Sequence, residues 1–98
     1  MSAKKLNDPD FFTKELTVVN KLGIHARPAA LFVKTANRFA CEIFVEKDGE
    51  KINGKSIMGL MMLAAEQGSY IEVTVSGPQA DAAMAAVERL VDQKFNEE

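Results

Sequence analysis

The chain has one cysteine, one histidine, one tyrosine and no tryptophan in 98 residues. Cys41 alone excludes an intramolecular disulfide and any cysteine-rich zinc site. His25, with no neighbouring cysteine or paired carboxylates, supplies too few ligands for a metal centre, and no cofactor is expected. Apolar runs are far too short to cross a bilayer, so no membrane insertion is expected. Residues 1–12 are polar apart from Leu6, Phe11 and Phe12 and lack the charged-then-apolar form of a secretory signal. With neither export signal nor disulfides, the expected location is the cytoplasm. An excess of one charge is missing too: the formal net charge is −2. Aromatic residues reach only 7%, thin for the stacking surface of an RNA-binding sheet, and no nucleic acid is expected as a partner. No nucleophile elbow or oxyanion motif supports serine-type catalysis.

What is present suits one globular domain: 47% hydrophobic and 27% charged residues. The charges are unevenly placed. Residues 13–38 carry Lys14, Lys21, Arg27, Lys34 and Arg38 against Glu15 alone, whereas residues 39–98 carry five positive and eleven negative side chains. An anionic partner is therefore expected to meet the first of these segments.

Residues 1–12, with Asp8-Pro9-Asp10 near their end, read as an N-terminal extension with a flexible lead-in character, and 13–98 as the domain. Alternation predicts a strand over 13–20, with Leu16 and Val18 inward. Pro28 suits the first turn of a helix whose apolar positions are Ala29, Phe32, Val33 and Ala36. Cys41, Ile43 and Val45 alternate in a second strand, and Asp48-Gly49 predicts a tight hairpin into a third over 51–53. Ser56 is placed to cap a short helix over 57–63, with Gly68 ending that region. A fourth strand covers 70–76, inward at Ile71, Val73 and Val75. The last helix follows Gly77-Pro78, with Ala80, Ala83, Met84, Val87, Leu90 and Val91 as its apolar stripe. The order β-α-β-β-α-β-α points to a two-layer α/β sandwich with the helices on one face.

His25 stands directly before a predicted helix start and two residues from Arg27. On its own a lone histidine reads as a surface or capping residue. Its position adds an anion site, because unsatisfied N–H groups and the positive end of the macrodipole converge there. Arg27 contributes a guanidinium fork suited to phosphate oxygens. Arg27, Ala30, Lys34 and Asn37 share a stripe opposite the apolar face of the first helix. Ile57, Met58 and Met61 share a face of the second. Methionines are often core residues, but three at 58, 61 and 62 favour a surface that several partners can share. Ser56 reads as an N-cap, and Cys41 as a small core hydrophobe.

Gly23-Ile24-His25-Ala26-Arg27-Pro28-Ala29 resembles the active-site signature of the HPr family, the histidine phosphocarriers of the bacterial phosphoenolpyruvate-dependent sugar phosphotransferase system. Asn53-Gly54-Lys55-Ser56-Ile57-Met58-Gly59-Leu60-Met61 resembles that family's second motif, around its regulatory serine. Spacing and element order agree from about residue 13 to 95.

The resemblance implies an α+β open-faced sandwich, a four-stranded antiparallel sheet with three helices on one face. It implies that His25 takes a phosphoryl group from phosphorylated enzyme I, on Nδ1 in the family, and passes it to an A-type enzyme II component. Arg27 and the backbone N–H groups of Ala26 and Arg27 would hold the phosphoryl oxygens. Ser56 would be phosphorylated by an HPr kinase/phosphorylase. Ala30, Lys34, Asn37, Ile57, Met58 and Met61 would belong to the surface that meets enzyme I and transcriptional regulators. A carrier rather than an enzyme, acting as a monomer, is expected. Two rivals stand beside this. A regulatory paralogue keeps the fold and the serine, though its members lack the histidine. A small ligand- or RNA-binding module would need a basic, aromatic sheet face, yet Glu42, Glu46, Glu72 and Thr74 point outward.

Overall fold

The structure is a computed structural model that describes residues 10–97. Strand β1 spans Phe11–Thr17, β2 Glu42–Lys47, β3 Glu50–Asn53 and β4 Tyr70–Ser76. Helices α1, α2 and α3 span Ala26–Ala36, Ile57–Met62 and Ala80–Asp92, and a short 3-10 turn covers Lys94–Asn96. The four strands form one sheet in the order β1-β4-β2-β3, every neighbouring pair antiparallel.

Period-two burial makes the sheet one-sided. Leu16, Ile43, Val45, Ile71, Val73 and Val75 are buried with Ala29, Phe32, Val33, Leu60, Ala83, Val87 and Val91 of the helices in a single core. Alternate strand residues are left outside. Register puts Glu15 opposite Glu72 and Glu72 opposite Glu46, so three carboxylates run side by side across the open face. Lys51, opposite Glu46, ends the row, whose charge stays negative on balance and disfavours a polyanion. An RNA-binding sheet is the reading this face least supports.

The Asp48-Gly49 turn is tight because both residues take positive φ, 53° and 84°, and Lys47 pairs directly with Glu50. Cys41 is buried just ahead of β2, and burial pushes its thiol pKa up against the opposing effect of Lys55. It is a core residue.

Several element ends differ from the sequence reading. β1 starts at Phe11 and stops at Thr17, not 13–20, because Phe11 and Phe12 pair with Ser76 and Val75. Val18 stays buried without strand geometry: its N–H donates to the Ser69 carbonyl at 2.9 Å, and its own carbonyl accepts from Gly68. Helix α2 stops at Met62, well before Gly68, where Ala64 turns left-handed at φ 51°. β3 gains Glu50. Residues 1–9, most of the predicted lead-in, lie outside the described residues. The 3-10 turn over Lys94–Asn96 has no counterpart in the sequence pattern.

Gly54 shows how closely the second motif is packed. Its N–H donates to the Ile43 carbonyl at 2.7 Å. A Cβ there would lie 2.7 Å from Ile43 Cγ2, 3.1 Å from the Ile43 carbonyl oxygen and 3.2 Å from Phe32 Cε1. Gly54→Ala is therefore expected to cost about 2 kcal/mol by overpacking, which lowers Tm by about 10 °C in a domain of this size. An unchanged melting temperature would show that Ile43 and Phe32 give way freely.

Candidate phosphate-handling site at the start of the first helix

Helix α1 begins at an N-cap, His25, in extended conformation, with no side-chain bond to the helix it precedes. Among the described residues no carbonyl accepts from the N–H groups of Ala26 and Arg27, and Pro28 has no N–H. A pair of orphan donors at the positive end of an eleven-residue helix is thus left for an anion. Arg27 is exposed beside them, and no ion pair among the described residues uses it.

The chain reaches this point through a rigid connection. Gly23 has φ +70°, and a Cβ on it would run into the Ala65 carbonyl oxygen and, at 2.9 Å, Glu66 Cα. Ile24 is buried, and its N–H donates to the same Ala65 carbonyl at 2.8 Å. The histidine loop is therefore clamped onto the segment that leaves α2, and α1 and α2 also pack together. This joins the two sequence motifs in space.

The His25 side chain is 39% exposed, accessible yet not free. Its Nε2 lies 2.9 Å from Oε2 of Glu97, a carboxylate that is itself only 14% exposed. A carboxylate oxygen accepts, so in the neutral ring the nitrogen facing it carries the hydrogen and the lone pair falls on Nδ1. The other Glu97 oxygen, Oε1, accepts from Nδ2 of Asn20 at 3.0 Å, and that same Nδ2 donates to the Gly23 carbonyl at 2.7 Å. Asn20 is fully buried.

Neither Asn20 nor Glu97 was singled out in the sequence. Asn20 carried a faint signal, a polar residue closing an apolar strand just before a glycine connection. Glu97 carried none, since 72 residues separate it from His25. What delivers it is the 3-10 turn after α3: Lys94, Phe95 and Asn96 have φ of 57°, 53° and 61°. Three successive left-handed residues cost about 1–2 kcal/mol each. Complete burial of the Phe95 ring offsets that cost.

The remaining expected site residues fall where spacing put them. Ala30, Lys34 and Asn37 are exposed along α1, and Pro28, Ala29, Phe32, Val33 and Ala36 are buried. Ile57, Met58 and Met61 are 43%, 72% and 45% exposed on α2, and Met62 joins them at 64%. These methionines are not core. Ser56 caps α2, its Oγ accepting from the Gly59 N–H at 3.0 Å. The turn before it is fixed by Asn53, whose Oδ1 accepts from the Lys55 N–H at 2.8 Å, and by Lys55 Nζ donating to the Phe39 carbonyl at 2.8 Å. No group of acidic, histidine or cysteine side chains among the described residues is arranged to hold a metal ion, and no described helix is long and apolar enough to cross a membrane.

Known proteins resemble the chain over most of its length. A family model described as the PTS HPr component phosphorylation site matches residues 12–93. The phosphocarrier protein HPr of Treponema pallidum is 49% identical over 85 residues, 87% of this chain and 97% of that protein. The HPr-like protein Crh of Halalkalibacterium halodurans is 51% identical over 81 residues, 83% and 96% of the two chains. Among solved structures, HPr-C-His from Thermoanaerobacter tengcongensis superposes with a TM-score of 0.85 at 45% identity, covering 89% of this chain and 98% of that one. Sequence, fold and family model agree: the chain belongs to the HPr family of phosphocarriers of the phosphotransferase system.

Proposed function

We propose that His25 accepts a phosphoryl group from phosphorylated enzyme I and hands it to an A-type enzyme II component, in the cytoplasm. The observation that carries this reading is the imidazole at an uncapped helix start, with Nε2 engaged by Glu97 and Nδ1 open. In the forward step the Nδ1 lone pair forms a bond to phosphorus, while the bond to the donor breaks and its electron pair leaves with the donor. Handing the group on reverses this, and the electron pair returns to Nδ1. Arg27 and the N–H groups of Ala26 and Arg27 hold the phosphoryl oxygens and spread their charge, so the residues act by position and electrostatics. The protein is a carrier in this reading, since the group it receives leaves again and no other bond changes. All these residues come from one chain, so a monomer suffices.

Enzyme I docks, in the same reading, on the exposed face formed by Ala30, Lys34 and Asn37 of α1 with Ile57, Met58 and Met61 of α2. Met58→Glu is expected to leave stability within about 0.5 kcal/mol, as for other exposed positions. It should weaken enzyme I binding about tenfold or more by placing a charge in an apolar contact. Thermal melts and titration calorimetry check the two halves separately. A large loss of Tm would show the methionine to be structural.

The 51% identity to a protein named HPr-like keeps a second reading beside the first, in which Ser56 carries regulation and transcriptional regulators are the partners. Incubation with phosphoenolpyruvate and enzyme I, followed by intact mass, separates the two. A gain of one phosphoryl group, lost on acid treatment, supports the carrier. No gain with an enzyme I that phosphorylates a known HPr leaves the regulatory role alone.

A further inference from the structure

The contacts behind His25 form a chain of hydrogen bonds with a fixed polarity. Asn20 Nδ2 faces two acceptors, the Gly23 carbonyl at 2.7 Å and Glu97 Oε1 at 3.0 Å. Turning the amide over would set its oxygen against both, so the orientation is forced. The cost is visible in the same residue: Asn20 Oδ1 is buried with no hydrogen-bond partner among the described residues. A buried amide that leaves its acceptor unmet is held there for its donors. Glu97, fixed at Oε1 by Asn20, presents Oε2 to His25 Nε2 at 2.9 Å. The left-handed turn with Phe95 buried beneath it brings the carboxylate to this place.

We propose that Asn20 and Glu97 are positioning residues for the phosphoryl step: Asn20 fixes the Glu97 carboxylate, and Glu97 holds the His25 proton on Nε2, reserving Nδ1 for phosphorus. The inference rests on the reading of His25 as the phosphoryl carrier, and it extends that reading to the residues that choose the nitrogen. When Nδ1 bonds to phosphorus, the ring keeps its Nε2 proton and becomes positively charged. A carboxylate at that nitrogen stabilises the charge, and Nε2 keeps its proton in both directions of the cycle. When the group departs, the electron pair returns to Nδ1 and the neutral ring is restored with the proton still on Nε2. Atoms and charge balance without any external acid or base.

The polarity makes a sharp test possible. In Glu97→Gln the Asn20 donor still requires an oxygen, so the side-chain NH2 of the new residue must face His25. A donor there converts Nε2 to an acceptor and drives the ring proton to Nδ1, which blocks the lone pair. Imidazole nitrogen shifts of the full-length, 15N-histidine-labelled protein read this directly at about pH 9, well above the ordinary imidazole pKa of about 6.5. The wild type is expected to hold the proton on Nε2 and Glu97→Gln to carry it mainly on Nδ1, with Tm nearly unchanged. Phosphorylation by enzyme I should fall about tenfold or more, from the loss of one charge-assisted bond and of the reactive tautomer. The loss should lie in kcat rather than in KM, because Glu97 is largely covered. In Asn20→Ala/Glu97→Gln the glutamine is free to turn its oxygen back, so the Nε2 proton should return in part.

An unchanged tautomer in Glu97→Gln overturns the proposal, and so does a changed tautomer with an unchanged rate. A wild-type protein that enzyme I cannot phosphorylate overturns the carrier reading instead, while the tautomer measurement on the unmodified protein still reports on Asn20 and Glu97.

Discussion

His25→Ala is expected to abolish phosphoenolpyruvate-dependent labelling completely while leaving the domain folded. The chain has one histidine, so no second imidazole can substitute. The fold should tolerate the change, because His25 makes no side-chain cap bond to α1 and its ring sits partly in solvent. The stability loss should therefore stay within about 1 kcal/mol, at the low end for an N-cap position. The wild-type adduct should be lost in acid, as a phosphoramidate is, and should be absent from the variant by intact mass. Persistence of a species one phosphoryl group heavier in His25→Ala would sink the assignment. Arg27→Ala tests the electrostatic half of the site. Removing one preorganised donor from developing charge costs about a hundredfold in rate. As an exposed residue, Arg27 should contribute less than about 0.5 kcal/mol to the fold. A rate within a fewfold of wild type would mean that the Ala26 and Arg27 N–H groups hold the phosphoryl oxygens unaided.

Phosphorylating Ser56 is expected to slow transfer to His25 about a hundredfold without unfolding the protein. Ser56 Oγ accepts from Gly59 N–H at the start of α2, so phosphate oxygens gain a donor and the helix dipole there. Stability should hold or rise slightly. The modification also sets about two negative charges next to Ile57 and Met58, exposed apolar side chains that the proposed docking face requires. Stripping water from those charges in an apolar contact opposes association by a few kcal/mol, and each 1.36 kcal/mol is tenfold. Ser56→Asp should reproduce part of the effect as a raised KM for the carrier with kcat intact. Ser56→Ala should transfer normally, resist the serine kinase and lose about 1 kcal/mol as a missing cap. Stoichiometric Ser56 phosphorylation with unchanged His25 kinetics would refute the docking role of this face, and modification at another serine would refute the choice of residue.

Local patterns accounted for most of the architecture. Period-two alternation placed β2 and β4, and the 3.6-residue stripe placed the buried positions of α1 and α3, because burial of one face is dictated by neighbours along the chain. Asp48-Gly49 and Ser56 were legible for the same reason: a turn or a cap is built from adjacent residues. The two motifs carried His25, Arg27 and Ser56, and spacing alone foretold the exposure of Arg27, Ala30, Lys34 and Asn37. The ends of β1 were misjudged because pairing with β4, not alternation, determines where the strand begins and ends. The three methionines at 58, 61 and 62 favoured an exposed surface, as the structure shows, although a six-residue helix has too few turns for a stripe alone to say which side is covered. Only the packing of Leu60 inward exposed Met58 and Met61. The contact of Glu97 with His25, and the buried Asn20 that fixes it, belong wholly to the tertiary structure. They join residues 72 and 77 positions apart through a left-handed turn that no propensity favours. That turn exists because the core offers Phe95 a place, a property of the folded interior rather than of the segment.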